Sequence, residues 1–229
     1  MTEQIQLARL LQLCSPALPV GAYAYSQGLE SAIHDHFVTD ETSAAAWIRG
    51  IFEDSFAQLD LPAMLRAASA WRANDAATIS SLDVYLAASR ETSELLLEDK
   101  DMGRSLVRLL KSLDVVLPEM TNPSFATVFG CAGAVWGIQD EALATGFCFC
   151  FLENQVAAAT KTVPLGQTVS QQMLASLAVE IEPAIKRAGQ VAGELAQQEP
   201  RQWSFGQSLP ALAILSSRHE TLEARLYRS

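Results

Sequence analysis

Histidine is scarce in this chain: three residues in 229, at positions 34, 36 and 219. A nucleophilic triad needs a base held by a third group, and zinc is bound through several imidazoles or thiolates. His34 and His36 flank Asp35 at an expected helix end, where the macrodipole favours histidine and an exposed terminus accounts for both. His219 lies in Ser-Ser-Arg-His-Glu, with no second histidine four residues on, so it is not part of a zincin motif. Cysteine is nearly as sparse, at 14, 131, 148 and 150. Three of the four sit in apolar surroundings, as small buried hydrophobes do in a reducing compartment. Phe-Cys-Phe-Cys-Phe suggests a metal pair, but helix positions two apart point about 200° from each other. No Cys-x-x-Cys spacing and no nearby histidine supports a zinc site. Basic residues are outnumbered, 16 against 26 acidic, giving a formal net charge of −10. That balance excludes nucleic acid and anionic membrane as expected partners, since both need basic patches. Long apolar runs are missing too. Residues 142–152, Ala-Leu-Ala-Thr-Gly-Phe-Cys-Phe-Cys-Phe-Leu, fall short of the roughly 20 needed to span a bilayer. Glu3 and Arg9 interrupt the opening segment, which lacks the apolar region of a signal peptide. The expectation is a cytosolic protein. Phosphate-cradling loops are absent: there is no GxxxxGK[ST] stretch, and Pro-Val-Gly and Pro-Leu-Gly-Gln carry one glycine each.

What the chain does hold is helix signal, with 49% hydrophobic residues to build a core. Apolar residues recur at helical spacing over 4–13 and stop before Ser15-Pro16. A second helix is expected from about Tyr23–Gln27 to Ile33. Asp40 or Thr42 is the candidate cap of the next, with Trp47, Ile48, Ile51 and Phe52 on one face. Leu61-Pro62 begins another, and Asn74 or Asp75 opens a short one. Residues 89–113 read as the most charged helix, where Arg90 and Glu94 are four apart and expected to pair on one face. Its acidic residues Glu91, Glu94, Glu98, Asp99 and Asp101 alternate with Arg90, Lys100 and Arg104, the pattern of a solvated face. Asn122 as cap and Pro123 at the first helical position are expected to start a helix. Others follow from Asp140, from Pro-Leu-Gly-Gln and after Pro183, and Gly133 and Gly137 offer a small face for close packing. Strand alternation and fixed-period repeats are nearly absent. We therefore expect an all-α fold, a single-domain helical bundle of about eight to ten helices over residues 1–229.

Two segments stand out as partner surfaces. Residues 15–31, Ser-Pro-Ala-Leu-Pro-Val-Gly-Ala-Tyr-Ala-Tyr-Ser-Gln-Gly-Leu-Glu-Ser, are stiff, aromatic and uncharged until Glu30. Prolines lower the entropy lost when a loop is gripped, and tyrosine is enriched at interfaces. If the turn is helical, at most one of Tyr23 and Tyr25 faces inward. The second segment is the tail, where Leu222 and Leu226 are four apart on an expected helix. A tail that keeps an apolar face suggests docking, on its own core or on a partner. Gly103, inside the charged helix, costs about 1 kcal/mol against alanine. A close neighbour would explain it, a helix of a second copy among the candidates.

Four stretches resemble the UreF family of urease accessory proteins: residues 10–30, residues 89–110, residues 163–174 and residues 216–229. They match its Leu-Pro-Val-Gly and Gln-Gly-Leu-Glu signature, its Arg-Glu-Thr-Ser-Glu-Leu helix, its Pro-Leu-Gly-Gln segment and its Leu-Phe/Tyr-Arg-Ser tail. Ala24 departs from the pattern, which has serine between the two tyrosines. The resemblance implies an all-α, dimerising, non-catalytic protein without a cofactor of its own. It implies partners too: UreD (also called UreH), the GTPase UreG, and apo-urease, into which nickel is delivered while UreG hydrolyses GTP. Carried over by motif, the partner-binding candidates are Pro19, Gly21, Tyr23, Tyr25, Ser26, Gln27 and Glu30 in the turn. Arg90, Glu94 and Gly103 follow in the charged helix, and Gly166 and Gln167 in Pro-Leu-Gly-Gln. The tail adds Arg218, His219, Glu220, Arg225, Tyr227 and Arg228. Two other readings stay open: a helical enzyme using His219 and Glu220 with the acidic helix, and direct nickel binding by His34, His36 and the cysteines.

Overall fold

Polar side-chain caps set three of the helix starts, those after Asp40, Asp75 and Thr92. In the computed structural model, which describes residues 1–229, α1 (Glu3–Leu13) and the short α2 (Leu29–His34) flank the tyrosine turn. Asp40 opens α3 (Glu41–Ile51) with a capping box: its side chain accepts from the Ser43 amide at 2.8 Å while Ser43 answers back. One turn of π-helix, Phe52–Phe56, continues α3 and leads to α4 (Asp60–Arg72). Asp75 caps α5 (Ala76–Ser89), and Thr92 caps α6 (Ser93–Ser112). Then come α7 (Phe125–Val135), α8 (Asp140–Thr162), α9 (Gln167–Ala178), α10 (Ile181–Leu195) and α11 (Pro210–His219). There are eleven α-helices and no strand, so the all-α expectation holds with one helix more than the upper bound.

Three local expectations change. The turn is not the start of a helix: only Ala22–Ala24 form a 3-10 turn, and Tyr25 is extended at φ −125°. The helix expected at Pro123 starts later, with Ser124 as its cap, because Ser124 is held by buried aspartates. After His219 the tail is not helical, so Leu222 and Leu226 share no helix face; Leu226 is 64% exposed.

Helices α4 and α7 pack most closely, alanine against glycine and alanine. A Cβ at Gly130 would lie 2.3 Å from the Met64 carbonyl oxygen, so only glycine allows this approach. One apolar cluster of 48 buried residues extends from Leu13 to Tyr227, with a small satellite of Ala70, Ile79 and Cys131 beside it. Helix α8 has the length and apolar composition to cross a bilayer, longer than its most apolar stretch suggested, with mean hydropathy 1.3 over its best window. Here it serves as a core helix, lying against α1, α4, α9 and α10 and sending Phe147 and Phe151 into the aromatic cluster with Phe56.

Candidate functional site

The tyrosine turn and the tail, far apart in sequence, meet on the N-terminal half of α6. Gln27 and Gly28 both adopt left-handed backbone, φ 52° and 76°, and so reverse the chain into α2. Gly28 also lies under α11, where a Cβ would meet Leu212 at 3.2 Å. The tail turns back over this bend and pairs with it through the backbone. The Ser26 amide donates to the Ser229 carbonyl, and the Arg228 amide to the Ala24 carbonyl, each at 2.8 Å. Ala24 therefore contributes through its backbone, which its missing hydroxyl leaves intact. Ser26 Oγ donates to the same Ser229 carbonyl.

Carboxylates fasten the two segments. Glu30 accepts the amides of Leu226 at 2.8 Å and Tyr227 at 2.9 Å. The His219 ring, 0% exposed, lies between Glu94 Oε2 at 2.8 Å and Glu30 Oε2 at 3.1 Å. Arg225 reaches the other oxygen of Glu94 at 2.8 Å. One turn on, Glu98 accepts from Gln27 Nε2 at 2.7 Å and from Ser229 Oγ at 2.8 Å. Burial pushes the Glu98 carboxyl up to about 7, and those two hydrogen bonds oppose the rise. Tyr25 is buried, with its hydroxyl 3.4 Å from Asp101, and burial raises its phenol above the ordinary tyrosine range. Tyr23 stays half-buried and donates to Glu153 of α8 at 2.5 Å. One tyrosine thus faces fully inward, by an extended turn rather than a helical one.

Behind this layer the charged stretch corrects the expectation of a solvated face. Glu94, Glu98, Asp99 and Lys100 are all buried. Arg90 does not pair with Glu94, because it ends α5 in extended backbone and the two share no helix. It binds Asp60 at 3.1 Å and lies 3.4 Å from Asp99. Burial works against its charge, but Asp60 and Asp99 outweigh burial and hold the guanidinium above its usual range. Asp99 accepts from Ser124 Oγ at 2.6 Å, and Lys100 donates to the Asn122 carbonyl at 2.9 Å. The close neighbour of Gly103 belongs to the same chain: a Cβ there would lie 2.2 Å from the Pro123 carbonyl oxygen.

The remaining candidates are spread more widely. Pro19 and Gly21 are exposed at the edge of the turn. Arg218 pairs with Asp35 at 2.6 Å, and Glu220 accepts from Ser93 Oγ. Glu220 and His219 share no hydrogen bond: the His219 ring nitrogens are taken by Glu94 and Glu30. Gly166 and Gln167 lie exposed at the start of α9 and join no turn–tail hydrogen bond. His34 binds its neighbour Asp35 at 3.0 Å, and nowhere do three His, Cys, Asp or Glu side chains gather around a common point.

The family model described as UreF matches residues 38–178, more than half of the chain. Among similar proteins, "Urease accessory protein UreF" of Teredinibacter turnerae is 45% identical, over 98% of this chain and 99% of its own length. The protein of the same name from Chromohalobacter salexigens is 40% identical, over 99% and 96% respectively, and that from a Marinomonas strain 42%, over 100% and 96%. The chain belongs to the UreF family.

Sequence reading of this UreF chain found the turn and the tail but missed the groups that join them: Glu98, Ser229, Gly28 and Glu153. A signal for Glu98 existed. Residues 94, 98, 102, 106 and 110 are all buried and four apart, so the apolar stripe of Leu110, Leu106 and Met102 continues into two carboxylates. Followed toward the helix start, that stripe marks Glu98 and Glu94 as inward-facing despite their charge.

Proposed function

We propose that this protein is a non-catalytic scaffold of urease maturation in the cytoplasm. In this reading it self-associates as a dimer and works with UreD/UreH and the GTPase UreG. Together they insert nickel into apo-urease, with UreG's GTP hydrolysis regulated in the process. The observation that carries the reading is identity of 38–45% with urease accessory proteins along nearly the whole chain. The geometry favours a handhold over a reaction centre. His219, the obvious candidate base, is sealed between two carboxylates with no open position beside it.

Within this reading the turn and tail act as one surface. Buried members, Tyr25, Ser26, Glu94, His219 and Tyr227, hold its shape. Exposed members, Pro19, Gly21, Leu226 and Arg228, supply contact area. Gly103, buried against Pro123 of its own chain, offers no contact surface, whereas Gly166 and Gln167 belong to another face, which serves the remaining partners or the second copy. The test is co-purification with UreD and UreG, followed by urease activation with and without this chain. Leu226→Asp changes an exposed side chain and leaves the Leu226 amide bond to Glu30 in place. It should fold normally yet lose UreD and support little urease activation. Full capture of UreD by this variant rules out the tail face, and urease that matures equally without the chain rules out the function.

A further inference from the structure

The four free cysteines form two unlike pairs. Cys131 and Cys148 are 0% exposed, and burial pushes both thiols up to about 12. They are apolar filling. Cys14 and Cys150 are partly exposed and line the same cavity, about 130 Å³, beside the tyrosine turn. Cys14 follows α1 directly; Cys150 sits on α8. Cys14 approaches α8 at Gly146, one helical turn before Cys150. A Cβ at Gly146 would lie 2.7 Å from Cys14 Sγ. Positions four apart share a helix face, so the Cys14 sulfur rests on the face of α8 that carries Cys150. The absence of a side chain at 146 is what lets it settle there.

The two thiols are chemically unequal. The neighbouring Cys150 thiol holds Cys14 below the ordinary cysteine range, against burial and the nearby Glu153 carboxylate. The Cys14 sulfur, followed by burial, in turn drives Cys150 far above it. Glu153 is itself engaged by the Tyr23 hydroxyl. One sulfur is thereby favoured as thiolate and the other as its proton-bearing neighbour, the arrangement of an attacking and a resolving thiol.

We propose that Cys14 and Cys150 form an oxidation site at which a hydroperoxide closes a disulfide between the end of α1 and α8. The Cys14 thiolate attacks the terminal peroxide oxygen. The O–O bond breaks, the Cys14 sulfur is oxidised to the sulfenic acid, and the peroxide's other oxygen leaves as alcohol or water after taking a proton. Cys150 sulfur then attacks the Cys14 sulfur, and the hydroxyl leaves as water with the Cys150 proton. Two electrons pass from the sulfur pair to the peroxide. The bond pins residue 14, and with it the start of the loop feeding the tyrosine turn. This goes beyond the scaffold reading and does not depend on it.

The experiment treats the full chain with hydrogen peroxide, then counts thiols after denaturation and maps peptides by mass spectrometry. Chymotrypsin cuts at Phe149, between Cys148 and Cys150, so the partner sulfur is identified. Titratable thiols should fall from four to two, with a Cys14–Cys150 linked peptide. Cys148→Ser should form the same link, whereas Cys150→Ser should stop at a Cys14 sulfenic acid that dimedone traps. Retention of four thiols overturns the proposal. So does a link between any other pair, or sulfinic acid at Cys14 without a link.

Discussion

The α4–α7–α8 core and the buried heart of the turn–tail clamp exclude water by opposite means. The core does so with apolar side chains and close backbone contact. Phe56 and Phe151 stack at 4.4 Å between ring centroids, and Gly130 lets two backbones touch. The clamp buries Glu94, Glu98 and His219 and satisfies them with one another and with tail amides. Packing of the first kind fails when volume changes. The second fails when one partner is removed or a proton moves, because a buried polar group left alone keeps its full desolvation cost. Two parts of one fold therefore answer to different perturbations, and each can be broken with the other left intact.

The sharpest break is Gly130→Leu. The new side chain has only the Met64 carbonyl and the Ala68 amide to push against, both backbone. It should destabilise the whole protein by about 3 kcal/mol, lowering the urea midpoint for every probe at once. A wild-type midpoint would mean that α4 and α7 can part at no cost. Next in size is Glu94→Ala, which leaves buried His219 with Glu30 alone and takes from Arg225 its carboxylate partner. About 2 kcal/mol should be lost, mostly from the clamp. Amide exchange at Leu226, Tyr227 and Arg228 should speed up while α4 and α7 amides keep their protection. Uniform acceleration throughout would erase the distinction between the two regions.

The smallest effect is a slope with pH. Glu98 has its carboxyl raised from 4.5 to about 7 by burial, so the folded clamp holds a proton that the unfolded chain has released. Its contribution is full below about pH 4.5 and is lost as pH rises through about 7. Clamp stability should fall gradually between these limits. Glu98→Gln keeps a hydrogen-bonding group toward Gln27 and Ser229 and should flatten the slope. A slope unchanged in this variant would assign the proton elsewhere, with buried Asp83, also raised by burial, the first alternative.

Much of the helical frame was legible because its signals are local. Asp40, Asp75 and the apolar spacing of α1 speak for themselves over a few residues. The errors arose where distant residues override local pattern. Arg90 and Glu94 look like a helix pair until α6 proves to start between them. The acidic run of α6 looks solvated because nothing in it announces that Arg225 and His219 arrive from more than 100 residues away, at separations of 131 and 125. Leu222 and Leu226 have helical spacing, yet Glu30 claims the Leu226 amide and the tail bends instead of coiling into a helix. The turn and tail were each readable as surfaces. That they share one surface is a tertiary fact, with only the four-residue stripe of α6 to hint at it.

The pairing of Ser26 with Ser229 spans 203 positions. A ribosome must therefore finish every helix of this protein before the turn meets its cover. Throughout synthesis Glu30, Glu98 and the bend at Gln27 stand open to water and to any other molecule that can supply the missing amides. Loops of that length close late, so whatever competes with the tail has its best opportunity on the newborn chain.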